Sequence, residues 1–183
     1  MKKVLVTIIV IVVVMAAAAL GVIYGGRYDV AASTPDSPMV RWALTTTREN
    51  VVKREAKAID VPEFAHQSDQ ALLRTGFVHY NEMCVKCHAA PGVEPGEIRA
   101  GLNPKPPRLA RRARERTLAE LFWVSKHGIK MTGMPAWGKT HSDEELWAVV
   151  AFVKHLPKLS AEEYAVMREQ GDDAGHQHEG HSH

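Results

Sequence analysis

Both cysteines of the chain, Cys84 and Cys87, lie in "CVKCHAAPG", and His88 directly follows the second. No other stretch constrains the fold as strongly. Three residues apart on a helical turn, the two thiols project to one side, and the histidine is carried beside them. A thioredoxin-like redox pair calls for a strand before the helix and a βαβ surround. No segment here has convincing strand alternation. A structural zinc site takes four ligands, normally cysteine and histidine, and no second cysteine pair exists.

Cys-x-x-Cys-His is the attachment signature of c-type haem. The two thiols add to the two vinyl groups on one porphyrin edge, and His88 is directed at the iron as fifth ligand. Thioether bonds keep such a cofactor attached in an exported protein. The expected cofactor is one covalent haem c. A sixth ligand should lie far downstream, where "HGIKMTGMPAWG" presents Met131 and Met134. Methionine is a soft neutral donor, and a His/Met pair raises the haem potential. Elsewhere a methionine is usually core filling. Here Gly133, Pro135 and Gly138 surround it, as suits a ligand projecting inward from irregular backbone.

At the N-terminus, Lys2 and Lys3 precede an uncharged apolar run from Val4 to Tyr24, about the roughly 20 residues that cross a bilayer as a helix. Residues 1–26 therefore read as a signal or transmembrane anchor. The alanines Ala16 to Ala19 offer small-residue sites of the kind signal peptidase cleaves. Apolar sequence continues past them through Leu20, Val22 and Ile23, which a span needs and a cleaved peptide does not. With the two lysines holding the N-terminus in the cytoplasm, the expectation is a single-pass protein of a bacterial inner membrane with its haem domain in the periplasm. A net charge of +2 is too small to argue for nucleic acid, and no glycine-rich phosphate loop occurs.

Residues 27–67 read as a stalk or linker. "MVRWALTTTRENVVKREAKAI" spaces Val40, Leu44, Thr47 and Val51 as one face of a basic helix closed by Pro62. A stalk on anionic headgroups would use Arg41, Arg48, Lys53, Arg54 and Lys57; a solvated spacer helix is the plainer reading. Residues 68–160 read as an all-α haem domain. Its first helix follows Ser68 or Asp69, its second opens on the capping box of Thr117 and Glu120 and ends at Gly128, and its third opens on Ser142 and Glu145 and ends at Pro157. Between the first two, "AAPGVEPGEIRAGLNPKPPRLARR" is a long irregular loop that needs a surface to pack on. An apolar cofactor would supply it. Residues 161–183 read as a short helix capped by Ser160 and Glu163 and stopped by Gly171, then a disordered His-rich tail.

The domain resembles a class I c-type cytochrome. The likeness rests on the Gly76 to Tyr80 spacing before "CVKCH", on "NPKPPRL", on "KHGIKMTGMPAW" and on the last helix "SDEELWAVVAFVKHLP", and it covers roughly residues 68–159. It implies crossed first and last helices, with Gly76 allowing close approach and Tyr80 and Trp147 packing nearby. It also implies that the axial methionine is the one before Pro-Ala, Met134. A proline carbonyl is expected to accept a hydrogen bond from the unligated nitrogen of His88, with Pro104, Pro106 and Pro107 as candidates.

Other residues carry weaker signals. His127 could compete as sixth ligand, but it falls at a helix C-terminus where histidine commonly caps carbonyls. His79 reads as a surface residue, and Trp123 and Trp137 as pocket lining or simply core. Five arginines between Arg108 and Arg116 could pair with haem propionates, steer an acidic partner, or form a solvated basic loop. The tail histidines His176, His178, His181 and His183 could bind a transition metal.

The expected function is one-electron transfer through an exposed haem edge, serving an oxidase, reductase or dehydrogenase, with membrane contact through the N-terminal helix. The chain is expected to be an electron carrier and not itself an enzyme, though it could be the cytochrome subunit of an oxidoreductase, and no small-molecule substrate is expected. A haem-based sensor of small ligands, or copper handling through the tail, are the alternatives.

Overall fold

The computed structural model describes residues 1–67 and 69–176, with side chains to residue 171. It divides into two units, Met1–Thr34 and Pro35 onward. The first is built on α1 (Lys2–Tyr24), whose side chains are all exposed and whose mean hydropathy reaches 3.1. Its length and composition suit a bilayer crossing, and a signal sequence shares both properties.

The second unit contains α2 (Pro38–Ala56), α3 (Gln70–Met83), the single turns α4 (Val85–His88), α5 (Glu97–Ala100) and α6 (Leu109–Arg112), then α7 (Leu118–His127), α8 (Asp143–His155) and α9 (Ala161–His176). Among the described residues there is no strand, only an isolated bridge between Ala90 and Val93. The ends of the helices follow from local chemistry. Asp69 caps α3 by accepting from the Leu72 N–H. Thr117 with Glu120 and Ser142 with Glu145 form reciprocal capping boxes at α7 and α8. Ser160 and Glu163 exchange the same pair of bonds at the start of α9. Each satisfies orphan donors of a first turn. Ser68, the other candidate cap, lies outside the described residues.

The main packing contact is the crossing of α3 and α8. Gly76 makes it possible: a Cβ there would stand 2.1 Å from the Ala148 carbonyl oxygen and 2.8 Å from the Phe152 Cβ. Backbone against backbone cannot yield by rotating a side chain. Around the crossing lie Phe77, Tyr80, Phe152 and Tyr164, with ring centroids 5.4 to 6.5 Å apart. The Trp147 ring stacks on Phe122 at 4.0 Å, joining α8 to α7. Gly76→Ala should separate the two helices and cost about 3 kcal/mol or more. Thermal unfolding of the haem-loaded protein checks this, and an unchanged midpoint would contradict the crossing.

Two sequence expectations change. Part of the 27–67 linker is not a free spacer, because α2 packs on α7. The buried face is Val52, 2% exposed, with Ala56, whereas Leu44 on the expected face is 61% exposed. Glu49 on α2 accepts from Arg112 at 3.0 Å and also from Arg116. Burial by itself raises the Glu49 pKa, but the Arg116 and Arg112 guanidiniums outweigh it and the net shift is downward. A depressed folded pKa means stabilisation that is full above the unfolded carboxylate value of about 4.3 and is lost as pH falls through the folded value. The docking of α2 should therefore loosen as pH falls below the ordinary carboxylate range, and Glu49→Gln should loosen it at neutral pH by about 1–2 kcal/mol. Hydrogen exchange along residues 45–56 reads both effects; protection indifferent to either change would show that the ion cluster does not hold the helix.

The second change concerns α9, which continues past Gly171 to His176. Gly171 is a close packing position instead of a stop: a Cβ there would meet the Phe77 ring at 3.3 Å. The tail histidines His178, His181 and His183 lie outside the described residues, and the side chain of His176 is not described.

Candidate haem site

The site begins where α3 gives way to α4. The Cys87 and His88 N–H groups both donate to the Cys84 carbonyl, at 3.1 and 2.9 Å, so both cysteines and the histidine ride on one turn. Neither cysteine is in a disulfide. Burial pushes the Cys84 thiol up to about 12, with Cys87 adding to the shift. Directly after His88, Ala89 takes a positive φ of 63°, turning the chain away from the helix axis. The hydroxyl of Tyr80, fully buried on α3, donates to the Ala89 carbonyl at 2.5 Å and holds that turn.

His88 is placed from a second direction. Its Nδ1 lies 2.8 Å from the Pro107 carbonyl oxygen, which can only accept, so Nδ1 carries the proton and Nε2 keeps its lone pair. Of the three candidate prolines, Pro107 is the one bonded. Its loop is fastened on both sides. Arg99 of α5 donates from Nε to the Pro106 carbonyl at 3.1 Å, and Arg108 is clamped by both carboxylate oxygens of Glu94, at 3.1 and 2.5 Å. Burial lowers the His88 pKa; the Pro107 bond opposes this and the Arg99 charge reinforces it. The ring is held neutral, the form in which imidazole ligates a metal.

The methionine loop follows α7. Gly128 ends that helix at φ 64°, and a Cβ on it would meet the Pro135 carbonyl carbon at 2.6 Å and the Met134 carbonyl oxygen at 2.7 Å. Only glycine fits between the helix end and the returning strand of chain. The Met134 carbonyl accepts from the Ile129 N–H at 3.1 Å, and the Met134 N–H donates to the Thr132 hydroxyl at 3.1 Å. The loop is thus closed by three local bonds, the third from Thr132 to the Ile129 carbonyl at 2.8 Å. At its outer end Met131 is 96% exposed, at φ 58°. Met134 is half-buried. His127 is exposed, with its ring 5.2 Å from Trp123. Trp123 and Trp137 are both half-buried, and Trp137 packs on the core cluster.

The residues 71–153 match the family model described as cytochrome c oxidase, cbb3-type, subunit III. This is a class I c-type cytochrome domain. No curated protein and no solved structure matches the chain. The match spans α3 through most of α8, so the cytochrome domain includes the Cys-x-x-Cys-His turn, the prolyl loop and the methionine loop, while α1, α2 and α9 lie outside it. Its cofactor is a covalently bound haem c. The residues present fit that group: two unpaired thiols on one turn, a neutral imidazole with a free Nε2, and a thioether on a closed loop. Among the described residues no cluster of three or more His, Cys, Asp or Glu could hold a metal ion instead.

Sequence reasoning did not find Arg99 or Glu94, because each acts through a loop whose path the sequence does not reveal. It also gave the arginine run too little structural weight. Arg112 and Arg116 bind Glu49, Arg116 reaches Glu120 at 3.3 Å, and Arg114 donates to the Pro157 carbonyl at 3.2 Å. Four of the five arginines, with Arg108, are engaged within the protein.

Proposed function

We propose that this chain is a membrane-attached one-electron carrier whose haem is held by Cys84, Cys87, His88 and Met134. The cytochrome domain establishes haem-based electron transfer in general. The observation that supports the finer reading is the His88 Nδ1 bond to Pro107 at 2.8 Å, which leaves the lone pair on the opposite nitrogen of the ring. When bound, haem c supplies an iron that takes up and releases one electron. The protein residues hold it in place with little reorganisation: the cysteines by covalent attachment, His88 as a neutral donor in a fixed orientation, and Met134 by filling the remaining axial position with a sulfur.

The α1 helix anchors the chain in the inner membrane and sets the cytochrome domain on the periplasmic side, where the thioether bonds are made. There it exchanges electrons with an oxidase, reductase or dehydrogenase; a terminal oxidase is the favoured acceptor, given the family that the domain matches. The test uses the full-length, haem-loaded protein. Reduced and added to membranes of the source cells, it should be reoxidised at a rate that cyanide abolishes. Haem-loaded protein that membranes cannot reoxidise would overturn the carrier reading. Intact mass of the membrane fraction should include Lys2–Tyr24; a mature N-terminus near Leu20 would show that the helix is a cleaved signal.

A further inference from the structure

The loop that accepts the His88 proton is fastened by a residue with no assigned role. Arg99 stands on α5, eleven residues after His88, and donates its Nε–H to the Pro106 carbonyl at 3.1 Å. Pro106 is the residue before Pro107, whose carbonyl receives the imidazole proton at 2.8 Å. Two consecutive carbonyls of one short segment are thus gripped by two different side chains, one cationic and one axial. The segment lacks N–H groups at Pro106 and Pro107, so it cannot pin itself by backbone bonds. Arg99 is half-buried; the nearby Glu94 carboxylate feels its charge but is itself paired to Arg108.

We propose that Arg99 is a positioning residue for the haem, holding the Pro106–Pro107 segment against His88 while its guanidinium charge disfavours the ferric state. The inference rests on His88 being the axial ligand. Two effects of opposite sign are involved. A firm Nδ1–H bond to a carbonyl raises the basicity of the imidazole, as outer-shell partners of ligating histidines do, and so favours ferric iron. The fixed positive charge favours the ferrous form, which carries one positive charge fewer. The charge acts through a partly buried region of low dielectric and dominates.

The two roles separate in two variants of the full-length, haem-loaded protein. Arg99→Gln removes the charge and should raise the ferric to ferrous ratio at fixed potential about threefold, equivalent to about 30 mV at 59 mV per tenfold for one electron. Arg99→Lys keeps the charge but loses the planar Nε donor. Its potential should stay at or slightly above the parent's, while the His88 Nδ1 proton, followed by NMR in the ferrous state, should exchange with solvent about tenfold faster, as loss of about 1.4 kcal/mol of local protection requires. A brace that is only structural would lower the melting temperature in both variants and leave the potential and the proton exchange unmoved. That result overturns the proposal, as does a lowered potential in Arg99→Lys. If Arg99→Gln fails to mature, the proton exchange in Arg99→Lys decides alone: parent-like exchange contradicts the role. Loss of the Nδ1 signal in the parent protein itself would count against His88 as ligand and not against Arg99.

Discussion

Replacing Met134 by alanine should abolish the sulfur-to-iron charge-transfer band of the ferric protein and lower the potential by 59 mV or more, about a tenfold rise in the ferric to ferrous ratio. With Met134 as the proposed ligand, removing the thioether would leave one axial position without its sulfur. A harder donor such as water then favours ferric iron, and in the reduced protein carbon monoxide gains access. Met131→Ala should do none of this. Met131 is 96% exposed at the tip of the loop, so its truncation removes little packing, well under about 1 kcal/mol. The band surviving Met134→Ala and vanishing in Met131→Ala would mean that the loop passes the haem in another register, against the bonds that Met134 makes to Ile129 and Thr132.

Replacing both Cys84 and Cys87 by serine should have the larger effect on the protein itself. Haem stain should no longer remain with the polypeptide under denaturing, thiol-reducing conditions, and little folded protein should accumulate. The long segment between α4 and α7 contains only the single turns α5 and α6. Its backbone bonds are mostly short-range turns, and its ordering entropy of about 1–2 kcal/mol per residue must be offset by packing. Leu102, Leu109 and Val93 there are only partly buried, which leaves apolar surface for the porphyrin to cover. Either serine alone should leave one thioether and an intermediate yield. Full haem retention in the double variant under denaturing conditions would refute attachment through this turn.

How much of this was legible in the sequence depended on how local the cause was. The caps at Thr117, Ser142 and Ser160 are defined by a partner three residues on, and the structure makes all three. Gly76 was legible only through the family resemblance, since its reason, the Ala148 backbone, lies 72 positions away on α8. The same distance hid the docking of α2. Glu49 meets arginines 63 and 67 residues later, and no periodicity within α2 marks Val52 and Ala56 over Val40 and Leu44. Pro107 could not be separated from Pro104 and Pro106 because the choice depends on the path of the loop. Arg99 had no signature at all, because its partner is a backbone carbonyl that any residue could have supplied. Gly171 shows the converse error: read as a helix stop from its identity, it serves as a gap for the Phe77 ring.

These contrasts also bear on the arginine run. Its charge density invited a reading as a docking patch, yet Arg112 and Arg116 are partly buried on Glu49, and Arg108 is paired to Glu94. Charge that is neutralised within the fold contributes little to long-range steering. The run ties α2 to the haem-bearing domain, and through Arg108 it borders the carbonyl that orients His88.

The account turns on a haem whose two axial positions are both filled by the protein, and exposure of the reduced, full-length protein to carbon monoxide tests this most directly. With His88 and Met134 both ligating, the absorption spectrum of the ferrous protein should be unchanged at saturating gas. A shifted Soret band, with the bound gas released by light, would reveal an open or readily displaced position and would make the protein a ligand-binding sensor in place of a carrier.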